Sequence, residues 1–172
     1  MPGNLLSVSV NSPKKLNTLL REDSSKFSSI SLGVGLSQNK NSKEIINDFL
    51  DYIENTKNKH NIVIDADALN ILSEINYWWE KLPSTTILTP HLGEFNKIYK
   101  FKNYESIFEK LTNFSKLTKL CILLKGPSTL IAQNNEIIVN TAPNGGMSKP
   151  GMGDVLTAVS YTHLTLPTNR EV

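Results

Sequence analysis

Two short runs with no polar interruption, residues 62–64 (IVI) and 120–124 (LCILL), constrain the fold of this chain more than any other feature. A sheet with one wet face alternates apolar and polar residues, so an all-apolar strand suits burial on both faces, as in a parallel sheet. Around these runs stand helical stripes. Ile45, Ile46, Phe49, Leu50 and Ile53 share one helical face, as do Ile107, Phe108, Leu111 and Phe114. Alternation of this kind predicts an open, mostly parallel α/β sheet.

The remaining elements fit that frame. Ser12 as N-cap with Pro13 at the first helical position starts a short helix to about Leu20. Residues 28–32 form a strand candidate that runs into Gly33-Val34-Gly35. Two glycines there allow close approach to a ligand, or simply an ordinary tight turn. Asn41 and Glu44 make a capping-box-like start for the helix ending near Lys57. Asp65 and Asp67 follow the strand at 62–64; Asp67 is expected to cap a helix from Ala68 to about Glu80, with Trp78 and Trp79 packing at its end or at a subunit contact. Asp65, still at the strand end, needs a partner, because a buried carboxylate is costly alone. A β-branched strand at 85–89 stops at Pro90, which places His91 just past its carboxyl end. Helical patterning resumes at Glu94 and again over 104–119. After the strand at 120–124 come Lys125 and Gly126, then a hairpin of 129–132 and 136–140 around Asn134 and Asn135.

Residues 140–158, NTAPNGGMSKPGMGDVLTA, carry the densest chemistry. A glycine-rich loop opening a helix gathers backbone N–H groups and the positive end of a helix dipole, and such a junction binds phosphate. Asp154 follows Gly151, Met152 and Gly153 directly. A carboxylate beside a phosphate cradle either orients an attacking hydroxyl or merely caps the helix. Gly35, Asp65, His91, Lys125 and this turn all fall at or just past strand carboxyl ends, where open α/β sheets bind ligands.

Composition removes other classes. At 172 residues the chain is expected to form one domain, and a net charge of +2 gives no basic stripe for nucleic acid. No membrane span or signal peptide is visible, so the chain reads as cytoplasmic. Cys121 is alone, which excludes a disulfide framework and reads as a small buried hydrophobe; the three histidines are too scattered for a protein-built metal cage.

Four ordered motifs then carry a resemblance: IVIDADALNIL (62–72), ILTPHLGEF (87–95), ILLKGPSTLIA (122–132) and NGGMSKPGMGDVLTA (144–158). Over residues 30–158 the chain resembles the ADP- or ATP-dependent NAD(P)H-hydrate dehydratases, a branch of the ribokinase-like superfamily. The resemblance implies a three-layer α/β/α sandwich with a mostly parallel central sheet, here incomplete. It also implies repair of the S-epimer of NADH or NADPH hydrate at the expense of ADP or ATP, with Mg²⁺. Hydroxide leaves poorly, whereas phosphate can be expelled by the nicotinamide ring nitrogen, so the enzyme first acts as a kinase on the hydrate hydroxyl.

By the same resemblance, Asp154 orients or deprotonates that hydroxyl, and Gly151, Met152 and Gly153 cradle the transferring phosphoryl group. Lys125, Gly126, Pro127, Ser128 and Thr129, with Gly153, form the nucleotide segment. Gly35 and His91 line the hydrate site, and Asp65 holds magnesium through water. A homo-oligomer is implied for the full-length protein. The sequence departs from the family pattern at GVGLS (33–37), at Pro150, which removes a loop N–H, and at Leu92. Residues 1–159 are expected to form a partial catalytic domain lacking its first strand–helix unit. Residues 160–172, SYTHLTLPTNREV, have no helical stripe and read as a non-native tail. An exposed sheet edge and uncovered apolar surface are expected to make such a fragment unstable alone.

Overall fold

A computed structural model describes residues 12–22, 29–56, 60–100 and 105–140. Its centre is a six-stranded sheet in sequential order, β1 (Ser29–Leu32), β2 (Asn61–Ile64), β3 (Ile87–Leu88), β4 (Cys121–Leu124), β5 (Thr129–Gln133) and β6 (Glu136–Asn140). The first four strands are parallel and the last two form an antiparallel hairpin. The two apolar runs behave as their composition demands: Ile62, Val63, Ile64, Ile122, Leu123 and Leu124 are all buried.

Helices α1 (Pro13–Glu22), α2 (Lys40–Thr56), α3 (Ala66–Leu72), α4 (Leu92–Ile98) and α5 (Ile107–Thr118) complete the described elements. Every buried apolar residue they contribute belongs to one core with Ile62, Ile64, Leu88, Ile122 and Leu124. Right-handed crossovers between strands taken in sequential order return to the same side of a sheet, which explains why the described helices share one face. Val63, Ile87 and Leu123 point the other way and form a small separate cluster with Cys121 and Ile131. Burial pushes the Cys121 thiol up in pKa, in keeping with a packing role.

Several local expectations need correction. The start of α2 is capped by Asn39, whose Oδ1 accepts from Ser42 N at 3.0 Å, two residues before the expected Asn41. Helix α3 begins at Ala66, with Asp65 rather than Asp67 as its N-cap, and ends at Leu72 instead of near Glu80. The chain turns there because Tyr77 adopts a left-handed φ of 56°, after which Trp78–Lys81 form one 3₁₀ turn. Strand β3 has two residues, shorter than the expected 85–89, although Thr86 O still accepts from Cys121 N and Thr89 N still donates to Ile64 O. The tryptophans therefore pack from that turn and not from the end of α3: Phe114 meets Trp78, Trp79, Phe95 and Tyr99 at ring-centroid distances of 6.5, 6.4, 5.8 and 5.9 Å. Tilted and edge-to-face contacts of this kind add to burial. Among the described residues no helix is long and apolar enough to cross a membrane.

Candidate active site

The parallel register pairs Leu32 with Ile64, Ile64 with Leu88, and Leu88 with Ile122, so the carboxyl ends of β1 to β4 share one rim. The hairpin brings Thr129 and Asn140, paired with each other, to the same rim. The chain therefore enters the glycine-rich stretch from the edge that carries the other candidate residues. Gly151, Met152, Gly153 and Asp154 themselves lie outside the described residues.

Asp65 is the hub of this rim. It follows β2 directly with 1 % of its surface exposed, and its Oδ1 accepts both from Ala66 N at 2.8 Å and from Lys125 Nζ at 2.7 Å. Burying a carboxylate is tolerable only with such partners. Its backbone N–H donates to Leu32 O, and its carbonyl lies against Gly33. Gly33 has φ 128°, and an added Cβ there would sit 1.8 Å from Asp65 O. Only glycine lets the two strand ends approach so closely. Ala66 next door takes φ 48°, a left-handed turn that costs alanine about 1 kcal/mol and that the Asp65 cap helps to hold.

Asp67, displaced from the capping role, reaches back to the glycine turn. Its carboxylate accepts from Ser37 N at 2.9 Å and from Gln38 Nε2 at 3.0 Å. Gly33 to Leu36 close a turn by Leu36 N donating to Gly33 O, with Gly35 at φ 68°, exposed and facing open space. The two aspartates of DAD thus fix two neighbours: Asp65 fixes Lys125, and Asp67 fixes the turn that carries Gly35.

His91 follows Pro90 and stands one strand away from Lys125. Pro90 O accepts from Lys125 N at 2.8 Å, and His91 and Lys125 form an isolated parallel bridge. The imidazole caps α4: Nδ1 accepts from Glu94 N at 3.1 Å, while Glu94 Oε2 accepts from His91 N at 2.8 Å. The His91 side chain remains 60 % exposed on the rim. Lys125 is partly buried, Gly126, Pro127 and Ser128 are exposed, and Thr129 starts β5.

The structure thus joins Asp65 with Lys125 and sets His91 beside them. Sequence reasoning missed the roles of Gly33, Asp67 and Glu94. The last was detectable, since His91 and Glu94 have capping-box spacing. Among the described residues no group of three or more His, Cys, Asp or Glu could hold a metal ion. With Asp65 engaged by Lys125 and Ala66, the described rim does not fit a metal cage built by protein. A separate concavity of about 300 Å³, lined chiefly by Tyr77, Trp78, Trp79, Ile98 and Phe114, has Lys100 as its one charged residue. It opens beyond the carboxyl end of α3, about 10 Å along that helix from Asp65.

A family model described as NAD(P)H-hydrate dehydratase matches residues 4–162. The chain belongs to this family. The matched span of the NAD(P)H-hydrate dehydratase family takes in every rim residue and the turn at 151–154. The chain is 32 % identical over 139 residues to the bifunctional NAD(P)H-hydrate repair enzyme Nnr of Methanocaldococcus jannaschii, covering 80 % of this chain and 24 % of that one. It superposes with a TM-score of 0.61 and 27 % identity on the ADP/ATP-dependent NAD(P)H-hydrate dehydratase of Bacillus subtilis, co-crystallised with ATP and Mg²⁺ and soaked with CoA. That match covers 80 % of this chain and 48 % of the other. A ribokinase-like superfamily protein of Enterococcus faecalis shares the fold, with a TM-score of 0.72 and 22 % identity over 86 % of this chain and 51 % of its own. The α/β fold with a mostly parallel sheet expected from the motifs is therefore observed, and the described helices form one of the two helix layers of the expected sandwich. The chain spans about a quarter of the length of the curated Nnr relative and about half that of the two solved structures.

Proposed function

We propose that this chain carries the site for ADP- or ATP-dependent dehydration of the S-epimer of NAD(P)H hydrate, releasing NAD(P)H, phosphate and AMP or ADP. The observation that supports this most is the Lys125–Asp65 pair at 2.7 Å, which puts an oriented ammonium at the rim beside the exposed imidazole of His91. Lys125 carries three N–H donors and Asp65 takes one, so the ammonium can also hold a phosphate oxygen. Gly126, Pro127, Ser128 and Thr129 offer the adjoining loop to the nucleotide. Gly35 and His91 take the hydrate.

In this reading the terminal phosphoryl group passes to the hydrate hydroxyl. Asp154 orients that hydroxyl and accepts its proton, and the N–H groups of Gly151, Met152 and Gly153 neutralise the developing charge. The ring nitrogen then expels phosphate to leave an iminium, and loss of a proton from the adjacent ring carbon forms the double bond of the dihydronicotinamide. Magnesium enters on the nucleotide phosphates, its usual carriers, and supplies charge neutralisation there. Asp65 serves through Lys125, or through water to that ion. We further propose a small-molecule enzyme of the cytoplasm, homo-oligomeric at full length, with neither nucleic acid nor membrane as partner.

The test incubates the chain with ADP or ATP and either the S-hydrate or a hydroxymethyl thiazole or pyridoxine alcohol. NADH formation equal to AMP or ADP release is expected with the hydrate alone. Phosphorylation of an alcohol without NADH would instead identify a kinase. Nucleotide binding with no turnover would identify a binding fragment.

A further inference from the structure

We propose that Gly93 and Glu94 are positioning residues that turn Nδ1 of His91 onto the backbone of α4, so that Nε2 presents its proton at the rim and meets a ligand as a hydrogen-bond donor. Glu94 N–H can only donate, and it donates to Nδ1. Nδ1 therefore keeps its lone pair, and a neutral imidazole must carry its proton on Nε2.

Three further features favour the same placement of the ring. The Glu94 carboxylate, 7 % exposed as a residue, accepts from His91 N through Oε2. Its Oε1 stands 3.4 Å from Nε2, where negative charge draws the proton to that nitrogen. A Cβ on residue 93 would lie 2.9 Å from Cε1 and 3.2 Å from Nδ1 of His91. Glycine at 93 thus leaves room for the ring over the first turn of α4. The seven-residue helix offers no ligand site of its own; its contribution is to set the tautomer and rotamer of a side chain standing on the rim. What such a ring recognises is an acceptor oxygen, of a carboxamide or a hydroxyl. On the function proposed above, that oxygen belongs to the nicotinamide hydrate.

Capping and ligand binding can be separated by substitution. Asparagine caps helices well but is too short to reach where Nε2 stands, whereas glutamine extends an amide donor to that reach and caps poorly. His91→Asn should keep the melting temperature of the parent and weaken hydrate binding roughly tenfold, the loss of one neutral hydrogen bond. His91→Gln should melt earlier and bind hydrate better than His91→Asn. Histidine ¹⁵N spectra of the unliganded chain should show a pyridine-like Nδ1 and a pyrrole-like Nε2 for His91, replaced in Gly93→Ala by the averaged pattern of a free imidazole. An Nδ1–H tautomer, or His91→Asn binding hydrate as the parent does, would overturn the proposal. If the parent chain binds no hydrate at all, the proposed function fails with the donor role, while the spectra still decide the tautomer.

Discussion

Replacing Gly33 with alanine is expected to destabilise the protein by about 4 kcal/mol or more, a large part of the stability of an ordinary domain. The added Cβ would fall 1.8 Å from the carbonyl oxygen of Asp65, and neither atom belongs to a flexible side chain. The strand ends must separate, and the φ of 128° is in addition one that alanine rarely adopts. Gly35 supplies the control. A Cβ there meets nothing within 4 Å, so Gly35→Ala should cost only the left-handed φ, about 1 kcal/mol. Denaturant unfolding of the two variants checks the contrast. Similar losses for both would mean that Gly33 does not pack on Asp65 as described.

Asp65→Ala should cost roughly 3–5 kcal/mol, because it leaves an ammonium without its buried partner and removes the cap of α3. The Lys125 side chain is 22 % exposed against 2 % for Asp65, which places the loss toward the lower figure. Lys125→Met should be comparably harmful, since it strands the more deeply buried charge. The double variant Asp65→Asn/Lys125→Met retains a capping side chain and carries no charge, so it should recover most of the loss. With Asp65→Asn as the matching single variant, a cycle in which its loss and that of Lys125→Met simply add would show that the pair is not coupled.

The features visible in the sequence were those with a short-range signature. All-apolar runs announced buried parallel strands, Pro90 marked the end of β3, and Asn134, with φ 56°, turned the hairpin where the asparagines stand. The misplaced features lacked one. Asn39 and Asn41 are equally good caps by composition, and only the backbone decides that the helix starts at Lys40. Asp65 has the buried partner expected of it, but it also takes the capping role expected of Asp67, because the chain turns at Ala66, in a conformation alanine does not advertise. The ion pair at the rim joins residues sixty positions apart, and Asp67 reaches back thirty to Ser37. Charge pairs at such separations leave no periodicity to read, so the sequence exposed the rim as a list of residues but not the bonds that order it.

Amide chemical-shift mapping tests most directly whether that rim is the working face. ADP with magnesium, followed by the S-hydrate, should shift residues 33–37, 65–67, 91–94 and 125–129. The amides of Ser73, Asn76 and Lys100 around the tryptophan concavity should stay in place. Shifts confined to that concavity, with the rim unmoved, would contradict the assignment.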